Sequence, residues 1–161
     1  MLNIKLLGES VLEARFRSMS GVLRKEIFGE VTKQTLMLER LVKQKLSGGV
    51  LNVRTGNLRA SIHNVMTNDA TGIVGKVASS GDVKYAGIHE FGGKTPAHVI
   101  EAKNGKALAF MFNGKQAFFA KVNHPGSTIP ERSFLRSSLS DRRTDIIDGL
   151  QAAARRGVAK Q

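Results

Sequence analysis

The sequence predicts an α+β fold in which a long N-terminal amphipathic helix and a C-terminal helix pack on a mainly antiparallel β-sheet. Three observations predict it: an apolar stripe at helical spacing, alternating segments in the middle of the chain, and Asn-Gly dipeptides between apolar runs. Helices that flank a block of strands, instead of alternating with single strands, are typical of α+β architecture. At 161 residues the chain is expected to form a single domain over 1–161.

The first predicted element is a helical region over 9–47. From Gly21 onwards the apolar residues recur at helical spacing: Leu23, Ile27, Val31, Leu38, Leu41, Val42 and Leu46. A shorter apolar stripe precedes it, formed by Leu12, Phe16 and Met19. Ser20 is expected to cap the second part of this region, and Gly48 or Gly49 is expected to end it in the left-handed conformation.

The middle of the chain is predicted to form strands. Residues 57–79 contain two alternating segments joined by the turn NDATG at 68–72, so a strand pair is expected there. The Asn-Gly dipeptides at 104–105 and 113–114 favour tight hairpin turns, because both central residues of a type I′ turn need positive φ. Residues 98–122 are therefore predicted to form a β-meander, with strands at 98–103, 106–112 and 115–122.

Two helical segments complete the predicted order of elements. Residues 85–91 place their large apolar side chains on one side of a short helix, which two glycines end. The last helix is predicted over 138–157, where Ser138 and Asp141 have the spacing of a capping box.

A net charge of +12 is the strongest compositional signal. The charge is uneven: residues 94–124 carry five lysines and one glutamate, whereas residues 61–93 carry two basic and three acidic groups. A basic surface attracts polyanions such as nucleic acid without reading their sequence, and a surface that only keeps the protein soluble is the alternative. The absence of Cys excludes a disulfide framework, and no apolar run suits a signal peptide or a membrane helix. We expect synthesis in the cytosol and no membrane partner.

His89 and Glu90 reproduce the start of the zinc-peptidase motif H-E-x-x-H. The second histidine of that motif would stand at position 93, which is Gly, so two imidazoles cannot share a helix face here. The sequence also has no phosphate-binding glycine loop, nucleophile elbow or cysteine nucleophile. We therefore expect no catalytic residues, no metal ligands, no cofactor and no enzyme activity. A hydrolase built on His89 and Glu90 is the weakest alternative, which bound metal in the purified protein would revive.

Three phrases of the sequence together resemble a known family. They are RTGNLRASI at 54–62, YAGIHEFGG at 85–93 and IPERSFLRSSL at 129–139. In this order, between a basic N-terminal helix and a C-terminal helix, they are similar to the tail-completion proteins of tailed bacteriophages, also called head–tail joining or minor tail-component proteins. The virion morphogenesis proteins of contractile-tailed phages share the last two phrases. The resemblance spans roughly residues 10 to 155, and it departs at Ser133, where family members often carry Pro.

The resemblance implies an assembly protein of the virion. Such proteins form a ring at the neck, and we expect a homo-oligomer, a hexameric ring, through which the genomic DNA passes without sequence-specific contact. The expected neighbours are a tail terminator or tail tube protein on one side and head-completion or connector proteins on the other. The protein would be located at the neck or tail top of the virion after assembly in the host cytoplasm. A tail terminator at the same junction is one alternative, and a small basic protein that binds nucleic acid non-specifically is another.

The same phrases supply the candidate assembly residues. The candidate subunit-interface residues are Arg54, Thr55, Gly56, Arg59, Tyr85, His89, Glu90, Phe91, Gly92, Gly93, Pro130, Arg132 and Phe134. The candidate basic residues of a docking loop, or of a surface that faces DNA in the lumen, are Lys94, Lys103, Lys106 and Lys115. Glu90 is expected to pair with Arg132, across a subunit boundary or within one chain. Residues 94–114 are predicted to form a flexible hairpin that becomes ordered on contact with a neighbouring ring.

Overall fold

The computed structural model describes residues 21–103 and 107–160. The predicted stripe of Leu12, Phe16 and Met19, the Ser20 cap and the Asn-Gly turn at 104–105 with Lys106 lie outside these residues.

The α+β fold class is confirmed, with a long first helix, antiparallel strands and C-terminal helices. The helices are α1 (Gly21–Gln44), α2 (Asn57–Ser61), α3 (Ala86–Phe91), α4 (Leu135–Asp141) and α5 (Arg143–Ala159), and a π-helical turn at Lys45–Gly49 follows α1. The strands are β1 (Ile62–Asp69), β2 (Gly72–Ser79), β3 (Gly93–Lys94), β4 (His98–Glu101), β5 (Leu108–Phe112), β6 (Lys115–Phe119), β7 (Lys121–His124) and β8 (Thr128–Ile129).

The chain divides into two compact units, which are described separately. Among the described residues, one unit, here called the body, consists of residues 21–86 and 133–160. The other, here called the arm, is the continuous segment Gly87–Arg132.

The core of the body lies where the end of α1 meets β1 and α4. Its buried side chains are Val42, Leu46, Ile62, Ala86 and Phe134, against which Leu38, Leu51, Leu58, Val77, Val83 and Leu135 pack. Phe134 and Val42 are fully buried. Removing one large apolar side chain of this kind from water contributes about 1.5–3 kcal/mol to stability.

The helix α1 ends as the sequence predicts. Gly48 adopts φ +115°, in the left-handed region that a side chain disfavours, and its N–H donates to Leu51 O at 2.9 Å. Lys45, in the turn that follows α1, donates to Asp141 Oδ2 at 2.6 Å and to Ser137 Oγ at 2.8 Å, which fastens this turn to α4.

On one side α1 packs against α5 with very close backbone approach. A Cβ at Gly157 would lie 2.7 Å from Leu23 Cα, and a Cβ at Gly149 would meet Glu30 and Gln34. Glycine is therefore required at Gly157, because a side chain there would meet the backbone of α1, whereas a side chain at Gly149 would displace the side chains of Glu30 and Gln34.

A polar network is buried in this helix pair. Gln34 Nε2 donates to Glu30 Oε1 at 2.6 Å, and Arg142 donates to Gln34 Oε1 at 2.8 Å. Glu30 is only 6% exposed, and the hydrogen bond from Gln34, with a smaller contribution from Lys33, holds the pKa of the Glu30 carboxyl below its ordinary value of 4.5.

On its other side α1 packs against the β1–β2 hairpin. Arg24 donates to Asn68 Oδ1 at 2.7 Å, and Asn64 donates to Glu39, so two points along α1 fix the register of the hairpin. A Cβ at Gly75 would collide with Thr35, which explains the glycine in the middle of β2. The turn predicted at 68–72 is confirmed, because Asp69 accepts from the backbone N–H of Thr71 at 2.8 Å.

The predicted strand pair over 57–79 is corrected at its start. Residues Asn57–Ser61 form the helical turn α2, and β1 begins only at Ile62. Gly56, at φ +79°, turns the chain into α2, and the burial of Ile62 in the core sets the first strand position.

The predicted C-terminal helix over 138–157 is also corrected. The structure has two helices, and the first begins at Leu135, so Ser138 lies inside α4 instead of at its start. The Ser138 hydroxyl is fully buried and donates to Phe134 O at 2.6 Å, so no capping box forms with Asp141. Burial of Phe134 in the core draws the preceding turn into the helix, an effect of tertiary packing that local spacing does not reveal.

The arm consists of nested antiparallel ladders. Moving outward, β3 pairs with β8, β4 pairs with β7 and β5 pairs with β6. Ala102 N donates to Ala120 O at 2.9 Å between the second and third ladders, so the two sides of the arm stay paired there. The predicted meander over 98–122 is corrected to this arrangement, because β4 pairs with the returning strand β7 and not with β5.

The tip of the arm is the hairpin predicted at 113–114. Asn113 has φ +50° and Gly114 has φ +75°, the two consecutive positive φ values of a type I′ turn.

Replacing Gly157 with Ala should lower the unfolding free energy of the body by about 1–3 kcal/mol, because the new methyl would enter backbone space of α1. Gly29→Ala is the matched control, since Gly29 is also in a helix and has nothing within 4 Å of its Cβ position. The control should raise the unfolding free energy by about 0.5–1 kcal/mol through helix propensity. Chemical denaturation of both variants measures the difference, and an equal effect of the two substitutions would contradict the close approach.

Acidification should destabilise the body partly through Glu30. The pKa of the Glu30 carboxyl is lowered in the folded state, so the ionised carboxylate stabilises the fold. This stabilisation is complete when the pH is above the ordinary pKa of 4.5, and it is lost as the pH falls through the lowered folded pKa. The variant Glu30→Gln lacks this proton uptake, so its unfolding free energy should fall less steeply than that of the wild type between about pH 5 and pH 3. Denaturant titrations at several pH values measure both slopes, and identical slopes would contradict the buried carboxylate.

Candidate functional site

The base of the arm joins two of the three family-like phrases. Arg132 N donates to His89 O at 2.8 Å, and Gly93 and Lys94 pair with Ile129 and Thr128. The phrases HEFGG and IPER are about 40 residues apart in the sequence and meet here through their backbones.

Gly92 is needed for this junction. Its φ is +69°, and a Cβ at this position would lie 2.9 Å from Glu131 N and 3.1 Å from Ile129 O. A side chain would thus meet both a strained conformation and two backbone atoms that cannot move aside. The glycine of the phrase therefore allows two backbone segments to approach, which is a structural role.

A second contact secures the arm just beyond its base. Thr95 N donates to Ser127 O at 2.9 Å, and Ser127 N donates back to Thr95 Oγ1 at 2.8 Å. Gly126, at φ +88°, lies so close to Thr95 and Pro96 that no Cβ fits. The base is consequently held by a series of backbone contacts.

The outer part of the arm exposes large apolar side chains on both faces. On one face of β5–β6, Phe110 and Phe119 stack with ring centroids 5.4 Å apart and remain 37% and 42% exposed. On the other face, Met111 is 68% exposed and Phe118 is 63% exposed. Nearer the base, Val99 and Ile100 are also exposed, and the rings of His98 and His124 stack across the strands at 5.0 Å.

Lysines accompany these apolar side chains. Lys94, Lys103, Lys115 and Lys121 are exposed, and the segment 102–130 contains no carboxylate side chain. Three of these lysines belong to the predicted docking-loop set, and the fourth member of that set, Lys106, lies outside the described residues. The arm thus combines apolar contact area with positive charge.

The predicted interface residues do not share one environment. In the body, Arg54, Thr55 and Arg59 are exposed around the left-handed Gly56. Tyr85 and Phe91 are 43% and 47% exposed, and Pro130, Arg132 and Gly93 are also exposed.

Two predicted interface residues are buried. Glu90 is 3% exposed and Phe134 is fully buried in the core of the body, so neither side chain can contact a neighbouring subunit in this conformation. The pairing of Glu90 with Arg132 stays a prediction.

The residues described here offer no metal centre. In residues 21–103 and 107–160, no group of three or more His, Asp or Glu side chains could hold a metal ion. His89 contributes its backbone carbonyl to the base of the arm, a role that needs no imidazole chemistry.

Comparison with models of protein families, with curated proteins and with solved structures gave no match. No helix in the described part of the chain is long and apolar enough to cross a membrane.

Sequence reasoning missed the exposed apolar residues of the arm. The sequence assigns the phenylalanines of 110–119 to strands, and apolar alternation normally marks a buried face. The sequence signal that could have revealed them is a strand segment whose two alternating sets of residues, one for each face, are both largely apolar. The charged residues beside this segment are all lysines. A two-stranded ladder with this composition cannot bury both of its faces by itself.

Replacing Gly92 with Ala should loosen the base of the arm. The left-handed φ and the contact with Glu131 N together should cost about 1–3 kcal/mol, so amides at Thr95 and Ser127 should exchange hydrogen roughly ten-fold to a hundred-fold faster. Hydrogen exchange followed by mass spectrometry measures this. Gly87→Ala is the matched control, since nothing lies within 4 Å of its Cβ position, and equal exchange in both variants would contradict the junction.

Proposed function

We propose that the chain is a structural virion protein of a tailed bacteriophage, which completes the tail and joins it to the head as a ring at the neck. The proposal starts from the three phrases that resemble the tail-completion family. The observation that carries it is that two of these phrases meet at the base of the arm. There Arg132 N donates to His89 O, and Gly92 lies against the backbone of Glu131. Residues of an assembly protein have this kind of role, because such a protein works through shape and contact.

The surface of the arm supports an assembly role. Exposed apolar side chains that are rimmed by polar groups mark interaction sites, and Met111 and Phe118 are each more than 60% exposed. A protein whose partners are other virion proteins needs such a surface, whereas an enzyme needs a cavity with convergent polar groups.

The positive charge of the arm suits a position beside DNA. Lysines attract the phosphate backbone without reading bases, and this attraction weakens as salt rises. In a hexameric ring that the genome crosses, Lys94, Lys103 and Lys115 would act in this general way. The neighbouring proteins would be a tail terminator or tail tube protein and the head-completion or connector proteins.

Interrupting this gene in the phage that encodes it tests the proposal. Electron microscopy of the lysate should show filled heads and finished tails that lie unjoined, and a plasmid copy of the wild-type gene should restore joined particles. The Gly87→Ala copy is the matched control for the Gly92→Ala copy, which should restore joining less well.

Two other results would change the proposal. Tails of uncontrolled length would assign the protein as a tail terminator at the same junction. Normal infectious particles in the absence of the gene would overturn a role in assembly altogether.

A further inference from the structure

The body contains an open cleft that neither the core nor the arm uses. Residues at positions i, i+3, i+4 and i+7 share one face of a helix, and on α1 the cleft is lined by four residues with this spacing: Met37, Arg40, Leu41 and Gln44. Arg142, between α4 and α5, completes the lining. The cleft, here called the arginine cleft, has a volume of about 210 Å³.

Buried polar contacts hold Arg142 at the wall of the arginine cleft. Arg142 Nη2 donates to Gln34 Oε1 at 2.8 Å, and Gln34, which is 6% exposed, donates in turn to Glu30 Oε1 at 2.6 Å. The Arg142 side chain is itself only 18% exposed. A side chain that is already fixed loses little conformational freedom when it binds a ligand, which favours binding.

The positive charge of the arginine cleft is only partly balanced within the body. No carboxylate lines the cleft, and Arg40 is exposed and has no ion pair in the part of the chain that the structure describes. Arg142 Nη1 lies 3.4 Å from Asp145 Oδ2, but the Asp145 side chain is 63% exposed, so water screens this pair. Arg142 Nε is buried and has no hydrogen-bond partner among the described residues. A negative group in the cleft would offset the cost of this buried cationic donor.

The size and the donors of the arginine cleft define the ligand that it fits. Pockets for whole small molecules measure about 300–1,000 Å³, so this cleft suits a single chemical group. Guanidinium groups pair with phosphate and carboxylate through parallel N–H donors, and the Gln44 amide can supply a further donor. A phosphomonoester carries a charge of about −1.5 to −2 near neutral pH, which balances two guanidinium groups better than a single negative charge does.

We propose that the arginine cleft binds a dianionic phosphate group between Arg40 and Arg142. Met37 and Leu41 form the apolar part of the wall, and they strengthen the ion pairs because they keep water from that side. The site is independent of the proposed role in the virion, since no residue of the arm takes part in it.

Titration of the ¹⁵N-labelled full-length protein with methyl phosphate tests the proposal by nuclear magnetic resonance. At about pH 7.5 this monoester is mostly dianionic, and potassium chloride keeps the ionic strength constant. The Nε–H signals of Arg40 and Arg142 should shift and saturate. Dimethyl phosphate, which has the same core but one negative charge, should bind about ten-fold more weakly.

Two variants locate the site. Arg40→Gln should weaken the binding of methyl phosphate by about ten-fold or more, because it removes a charged donor from the cleft. Arg143→Gln is the matched control: Arg143 is exposed, follows Arg142 in the sequence and does not line the cleft. Since it removes the same charge, it should change the affinity by less than about two-fold once salt screens the surface.

Inorganic phosphate distinguishes the two sources of the ligand. If inorganic phosphate binds at least as tightly as methyl phosphate, the site holds the free ion. If methyl phosphate binds more tightly, the site holds a phosphate group that is esterified to a larger molecule. Either result supports the proposal.

Three results would overturn it. Shifts that never saturate, or that chloride reproduces at the same ionic strength, would show that the cleft binds no phosphate. Equal weakening by Arg40→Gln and Arg143→Gln would show a general attraction to the net positive charge. Dimethyl phosphate or acetate that binds as tightly as methyl phosphate would exclude a site for a dianion.

Discussion

The body depends on α1 being buried on two sides at once. Its end enters the core with Val42 and Leu46, while its length is covered by the β1–β2 hairpin on one side and by α5 on the other. Both contacts use glycine in the opposing element: Gly157 in α5 lies against the backbone of α1, while Gly75 in β2 and Gly149 in α5 leave room for side chains of α1. A two-stranded ladder has little stability alone, so β1–β2 persists because α1 covers one of its faces.

Whereas the body has a buried apolar core, the arm is held together by backbone contacts. Its base is fixed by backbone hydrogen bonds and by glycines that permit close approach, as at Gly92 and Gly126. Its outer ladder leaves aromatic and methionine side chains exposed, although the hydrophobic effect favours covering them. A surface of this kind is most stable when a partner covers it. For this reason the arm fits the role in assembly that we propose.

Burial also separates structural from contact roles within the family-like phrases. Glu90 and Phe134 are buried, and Gly92 serves a backbone approach, so these residues shape the protein. Tyr85, Phe91 and Arg132 are exposed and are open to contact with other molecules. A phrase that resembles a family therefore mixes the two roles, and only the solvent exposure of each residue tells them apart.

The sequence by itself determined the α+β class, the helix that follows Gly21, its left-handed end at Gly48 and the hairpin turn at 113–114, because these follow from local periodicity and local φ preference. It also located the phrases that form the base of the arm. Tertiary structure alone decided that β4 pairs with β7, that α4 begins at Leu135 and that Phe118 and Met111 are exposed. Strand pairing and burial depend on segments far apart in the chain, and alternation along one strand does not show whether anything covers its faces.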